Sequence, residues 1–119
     1  MRVTGVNANL PVPDIAAARR FYTDYLGLSV EEFNLGWVAR YRSPDGEASV
    51  QLVTRDATAP CDSVISVHVG VSVDEAYAEA KERGYEIVHP LTDEPWGVRR
   101  FFVRAPDGNL INVVNHSDE

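Results

Sequence analysis

Apolar and polar residues alternate near the start of the chain. Val6, Ala8, Leu10 and Val12 are interleaved with Asn7, Asn9 and Pro11, the period-two pattern of a strand with one buried face. Asp14, just after Pro13, fits a helix N-cap. Ile15, Ala18, Tyr22 and Tyr25 then recur at helical spacing, with Phe21 and Leu26 beside them, and Gly27 closes the helix. Short strands follow over residues 28–33, 37–42 and 48–54. The last two are joined by the turn Ser43-Pro44-Asp45-Gly46.

Residues 55–63 (RDATAPCDS) are polar and turn-rich and read as a linker, after which the pattern restarts. Residues 64–71 read as a strand with Ile65, Val67, Val69 and Val71 on one face. Ser72 and Glu75 fit a capping box. Val73, Ala76, Tyr77 and Ala80 form a helix stripe that Gly84 closes, with Lys81 and Arg83 in the last turn. Strands resume near 85–89, 98–104 and 109–115, the last two joined by Ala105-Pro106-Asp107-Gly108.

The punctuation of the two halves matches. Asp14 answers to Asp74, Gly27 to Gly84, and Pro44-Asp45-Gly46 to Pro106-Asp107-Gly108, all at nearly one offset. Order, helices and turns agree, which predicts a duplicated βαβββ unit and an α+β class. The first module is about 1–55, the linker about 56–63 and the second module about 64–119.

With 119 residues there is room for one domain with one modest core. Hydrophobic residues make up 45% and charged residues 24%, the ordinary globular range. Eleven basic against 18 acidic residues give a net charge of -7, which repels phosphate backbones and argues against a nucleic-acid partner. The single cysteine, Cys61, excludes an intrachain disulfide and has no basic neighbour close in sequence to activate it. No long apolar run opens the chain, so neither a signal peptide nor a membrane span is expected, and the cytoplasm is the default compartment.

Several runs carry a family resemblance. Leu10-Pro-Val-Pro-Asp14, Arg20-Phe21-Tyr22 and Tyr25-Leu26-Gly27 resemble the first strand and helix of the glyoxalase/bleomycin-resistance/dioxygenase superfamily, also called vicinal oxygen chelate. Glu94-Pro95-Trp96-Gly97 with Arg99 and Phe101, then Pro106-Asp107-Gly108-Asn109, resemble its second-module signature. The resemblance covers the whole chain. It implies two modules whose mixed sheets curl around a ligand cavity with the helices outside, and a homodimer. It leaves the activity open, since such proteins include metal-dependent isomerases, thiol transferases, ring-cleaving dioxygenases and metal-free proteins that sequester drugs.

Metal-using relatives place His, Gln or Glu at equivalent points on the first and last strands of each module. By this resemblance the four positions here are Asn7, Gln51, His68 and Asn112. One imidazole and three neutral amides, with no anion, make a poor site for a divalent first-row ion. No metal and no other cofactor is therefore expected. Periodicity sets Asn7 with Asn9, Gln51 with Ser49, and His68 with Ser66 and Gly70 on the faces turned from the helices. Such small polar faces suit a ligand-lined concavity better than a dry core. Asn112 is ambiguous, because both faces around it are apolar. His68 reads equally as a structural histidine or as a ligand contact.

Trp37, Ala39 and Tyr41 alternate on one strand face, which suits core packing or an interface as well as a ligand. Trp96 lies in a Gly/Pro-rich loop leading to Arg99 and Phe101 and reads as a cavity mouth. Asp93 and Glu94 beside it would attract a cation or form a solvated acidic turn. His89 and His116 fall in a strand end and a tail. The residues thus fit a metal-independent protein that binds a small aromatic or cationic compound, such as an antibiotic, through Asn7, Asn9, Trp37, Gln51, His68, Trp96, Arg99, Phe101 and Asn112. The alternative is a glyoxalase- or dioxygenase-like enzyme using His68 as general base or with a weakly held metal.

Overall fold

The computed structural model describes residues 1–116. Its elements run β1 (Gly5–Pro11), α1 (Ile15–Arg20), β2 (Val30–Asn34), β3 (Val38–Arg42) and β4 (Ser49–Val53), then β5 (Ile65–His68), α2 (Val73–Glu82), β6 (Glu86–Asp93), β7 (Val98–Arg104) and β8 (Leu110–His116). This is the expected α+β chain of two βαβββ modules. It divides into two compact units. One is Asn7–Asp62; the other is Met1–Val6 together with Ser63 onward. The first residues thus group with the second module, where the Thr4 amide donates to the His68 carbonyl at 2.8 Å.

The two units repeat one sheet. In the first the strand order is β2-β3-β4-β1; in the second β6-β7-β8-β5. In each, the first and last strands of the module pair in parallel (β1 with β4, β5 with β8) and the other neighbours are antiparallel. Each sheet buries its helix side. Ile15 packs with Ala39, Tyr41, Val50 and Leu52. Val73, Ala76 and Ala80 of α2 pack with Val69, Phe101 and Val113, and Tyr77, Val67, Ile87 and Leu91 join them. The α2 stripe read from the sequence is the one that is buried.

Three local expectations change. First, α1 gives way to a wide π turn over Phe21–Tyr25, closed by the Leu26 amide on the Phe21 carbonyl at 3.0 Å. The wider turn shifts the helical phase from there on, so Tyr25 leaves the Ile15–Ala18–Tyr22 stripe and stands 77% exposed. Asp14 does cap the helix, accepting from the amides of Ala16 and Ala17.

Second, the strand expected over 64–71 stops at His68. Gly70, at φ +56, turns the chain into a short 3-10 turn over Gly70–Ser72, and Val71 is exposed. Ser72 lacks the extended backbone an N-cap needs; its hydroxyl donates back to the Val69 carbonyl at 2.6 Å, so the capping box does not form. Third, β6 continues through Pro90 to Asp93. It is the outer strand of its sheet, where a missing amide hydrogen is tolerated. His116, read as tail, ends β8.

Candidate functional site

On the face turned from α1, the first module carries a connected polar network. The Arg40 guanidinium is 6% exposed, and its Nε and Nη2 donate to Gln51 Oε1 at 3.0 and 2.9 Å. Gln51 Nε2 donates onward to Asn9 Oδ1 at 2.6 Å, and the Asn7 amide donates to the Ser49 hydroxyl. Phe33 lies under the Arg40 guanidinium, 4.9 Å from its ring centroid. Glu32 completes the group, accepting from Arg42 at 2.8 Å and lying 3.5 Å from Arg40. Burial pushes the Glu32 carboxyl up, but the Arg42 hydrogen bond and the two positive charges outweigh it and hold the group below the usual carboxylate range.

The second module has the same kind of face with different contents. Asn112, ambiguous in the sequence, lies there with Ser66 and donates to the Ser66 hydroxyl at 2.9 Å. His68 is buried, and its ring stacks on His116 with centroids 5.0 Å apart. Further along, Arg100 donates through Nε to Glu94 Oε2 at 2.7 Å, and the same oxygen lies 3.0 Å from His89 Nε2. The Arg100 guanidinium stands 5.0 Å from the Trp96 ring centroid and 4.8 Å from that of Phe102. Arg100 and Glu94 side chains are 4% and 3% exposed, so this is a buried ion pair.

The hydrogen-bond register relates the modules residue by residue. The Val12 amide donates to the Val53 carbonyl and the Val69 amide to that of Val114, both at 3.0 Å. On that frame Gln51 matches Asn112, and their in-register partners are Asn9 and Ser66. Asn7 and His68, which the family resemblance sets at matching points, do not match; His68 corresponds to Pro11.

Other expected residues lie elsewhere. Phe101 belongs to the helix-side core, 1% exposed and 5.0 Å from the Tyr77 ring, because strand alternation sends it opposite Arg100 and Phe102. Arg99 shares that side and is clamped by Asp74 at 2.8 Å and Asp93 at 3.1 Å, which hold its guanidinium charged beyond the usual range. Ala39 and Tyr41 likewise face the core, while Trp37 is half-buried in the bend before β3. Tyr41 donates to Glu31 at 2.8 Å; burial raises the Tyr41 hydroxyl, and that hydrogen bond lowers the Glu31 carboxyl. Trp96, half-buried in the turn Pro95-Trp96-Gly97, does lie with the polar face. Glu94 is no solvated acid, since it is buried and Arg100 compensates it, whereas Asp93 is exposed and shares Arg99 with Asp74.

Arg40 and Arg100 are not among the residues expected here, and His89 is expected only as a strand end. Arg40 leaves a signal, as a charge set among apolar residues in Val38-Ala39-Arg40-Tyr41, whereas Arg100 is masked by its neighbour Arg99. A cavity of about 390 Å³ lined by Pro13, Asp14, Ile15, Arg19, Asn34 and Gly36 shares none of the expected residues. Cys61 is exposed in the loop between the modules.

The donor set does not fit a metal. A divalent ion at Gln51 would need the carboxamide oxygen, and that atom already accepts twice from a guanidinium, whose charge repels a cation. Asn7, Asn9 and Asn112 offer only neutral amides. Among the described residues no three His, Cys, Asp or Glu side chains come together as a metal-holding group. Nor is any described helix long and apolar enough to cross a membrane.

The family described as Glyoxalase/Bleomycin resistance protein/Dioxygenase superfamily matches residues 5–113. No curated protein sequence matches the chain. Among solved structures, it resembles one described as an NAD-dependent benzaldehyde dehydrogenase from Legionella pneumophila (TM-score 0.73, 17% identity, covering 94% of this chain and 99% of that one). A glyoxalase/bleomycin resistance protein/dioxygenase superfamily member from Vibrio splendidus 12B01 follows at 0.69 and 19%, over 96% and 99%. Methylmalonyl-CoA epimerase from Mycobacterium tuberculosis aligns at 0.69 and 24%, over 96% and 89%. At these identities the likeness speaks for the fold alone.

Proposed function

The chain belongs to the glyoxalase/bleomycin resistance protein/dioxygenase superfamily, and from that premise we propose that it is a metal-independent binding protein for a small planar organic molecule. The observation that carries this reading is the Arg40 guanidinium on Gln51 Oε1, a cation already seated on the oxygen that a metal would need as its donor. What remains on these faces is hydrogen-bonding amides, hydroxyls and imidazoles beside the half-buried rings of Phe33 and Trp96. Amides and hydroxyls orient a ligand, and aromatic rings bury its flat face. An aromatic ligand, such as a drug to be sequestered, fits this chemistry. A cationic one loses the support of Glu94, whose charge Arg100 matches.

With this reading go a cytoplasmic location and a two-fold dimer, the commonest closed assembly; light scattering at micromolar concentration tests the dimer. The metal half is tested by melting the purified protein with Zn²⁺, Ni²⁺, Mn²⁺ or Fe²⁺. An ion that binds only the native state adds about 2.7 kcal/mol at one hundred times its dissociation constant. The expected result is an unchanged melting temperature with each ion. A shift of that size, abolished in His68→Ala, would refute the reading.

A further inference from the structure

The pairing of His89 with Glu94 has no part in the proposed binding of a planar molecule. Strand alternation along β6 should put His89 on the same side as Ile87 and Leu91, which both pack into the helix-side core. It does not. The register with β7 shifts between Ile87 and His89 and again between His89 and Thr92. These two irregularities deliver the imidazole to the opposite face, edge-on to Phe102 at 5.5 Å and 3.0 Å from Glu94 Oε2. Bulges bend a strand and re-aim a side chain, at the expense of ladder hydrogen bonds.

The delivered group has the architecture of a proton acceptor. Glu94 is an ionised acceptor held by Arg100, so the histidine nitrogen facing it, Nε2, must carry the hydrogen. That fixes the tautomer and leaves the Nδ1 lone pair available. Among the described residues no side chain or backbone group bonds Nδ1. The His89 side chain is 12% exposed against 3% for Glu94, so the ring is the more accessible end of the pair. A carboxylate behind one ring nitrogen stabilises the imidazolium formed when the other takes a proton. Trp96, half-buried and 5.0 Å from the guanidinium of the same Arg100, is the aromatic surface gathered at this cluster.

We propose that His89 is a general base, positioned by Glu94, for a weakly acidic aromatic hydroxyl compound bound beside Trp96. In the step the ligand O–H bond breaks and its proton passes to His89 Nδ1. The bonding electron pair stays on the oxygen as a phenolate, next to an imidazolium whose Nε2–H remains on Glu94. No oxidant or co-reactant is involved. The proposal rests on the binding reading only for the presence of a ligand on this face.

The probe is p-nitrophenol, whose neutral and ionised forms absorb at different wavelengths. It is added to the intact chain at a pH where the free compound is mostly neutral. The expected result is a roughly tenfold rise in the ratio of bound phenolate to phenol over buffer, equivalent to about one pKa unit, with quenching of tryptophan fluorescence. His89→Gln should remove the phenolate band and leave the quenching and the circular dichroism unchanged. Glu94→Gln keeps an acceptor oxygen without its charge and should lower the phenolate ratio with quenching retained. On the unmodified chain, ¹⁵N shifts of the His89 ring should report the Nε2–H tautomer. Quenching without phenolate overturns the base and leaves the binding reading standing. A phenolate band that survives in His89→Gln, or an Nδ1–H tautomer, also overturns it.

Discussion

Arg40 and Arg100 invite one experiment, the same substitution at two buried arginines that differ in what they hold. Arg100→Met keeps a flexible apolar chain against Trp96 and Phe102 but takes the guanidinium away from the Glu94 carboxylate, which is 3% exposed. Removing one member of a buried ion pair costs about 3–5 kcal/mol. Arg40→Met takes two donors from a neutral amide oxygen, while Gln51 Nε2 still reaches Asn9 and Glu32 still has Arg42. A buried acceptor stripped of its donor costs about 1–3 kcal/mol, and the half-exposed Arg40–Glu32 contact adds little. The gap is about 2 kcal/mol, roughly 30-fold in the unfolding constant. Urea unfolding at pH 7, followed by far-ultraviolet circular dichroism, measures both. Adding Glu94→Gln to Arg100→Met removes the stranded charge and should recover part of the loss. Equal losses for the two arginines, or a double variant less stable than Arg100→Met, would refute the view that the partner's charge sets the magnitude.

Phe101→Ala should lose roughly 3–5 kcal/mol, the cost of emptying a buried aromatic site, and should leave ligand-dependent Trp96 quenching intact once folded; little destabilisation would return Phe101 to the ligand face. Stability should also fall in acid through Glu31 and Glu32. Both carboxyls lie below their unfolded value in the folded chain. Their contribution is therefore complete above the ordinary carboxylate pKa and is lost as pH falls through the lowered folded values. Denaturant titrations from neutral to acid pH on the intact chain and on Glu32→Gln check this; a variant with the same acid dependence would contradict it.

Legibility in the sequence followed the range of the interaction. Periods of two and of helical spacing, the Asp14 cap and the paired Pro-Asp-Gly turns act over a few residues, and they were enough for the α+β class, the two βαβββ modules and the α2 stripe. Alternation also placed Asn7, Gln51 and Ser66 on the faces away from the helices, because side-chain direction in an unbroken strand depends on counting alone. Counting failed where the chain departs from regular geometry. The π turn released Tyr25, and Gly70 ended β5 early. The shifted register of β6 moved His89 across its sheet, a displacement decided by pairing with β7 and invisible in the residues of β6. Partner choice was equally out of reach. That Arg40 would take the oxygen of Gln51, and Arg100 the carboxylate of Glu94, depends on which strands lie side by side. Hydrogen bonds and ion pairs act only at contact, so tertiary structure alone decided that the Gln51 amide oxygen is taken by a guanidinium.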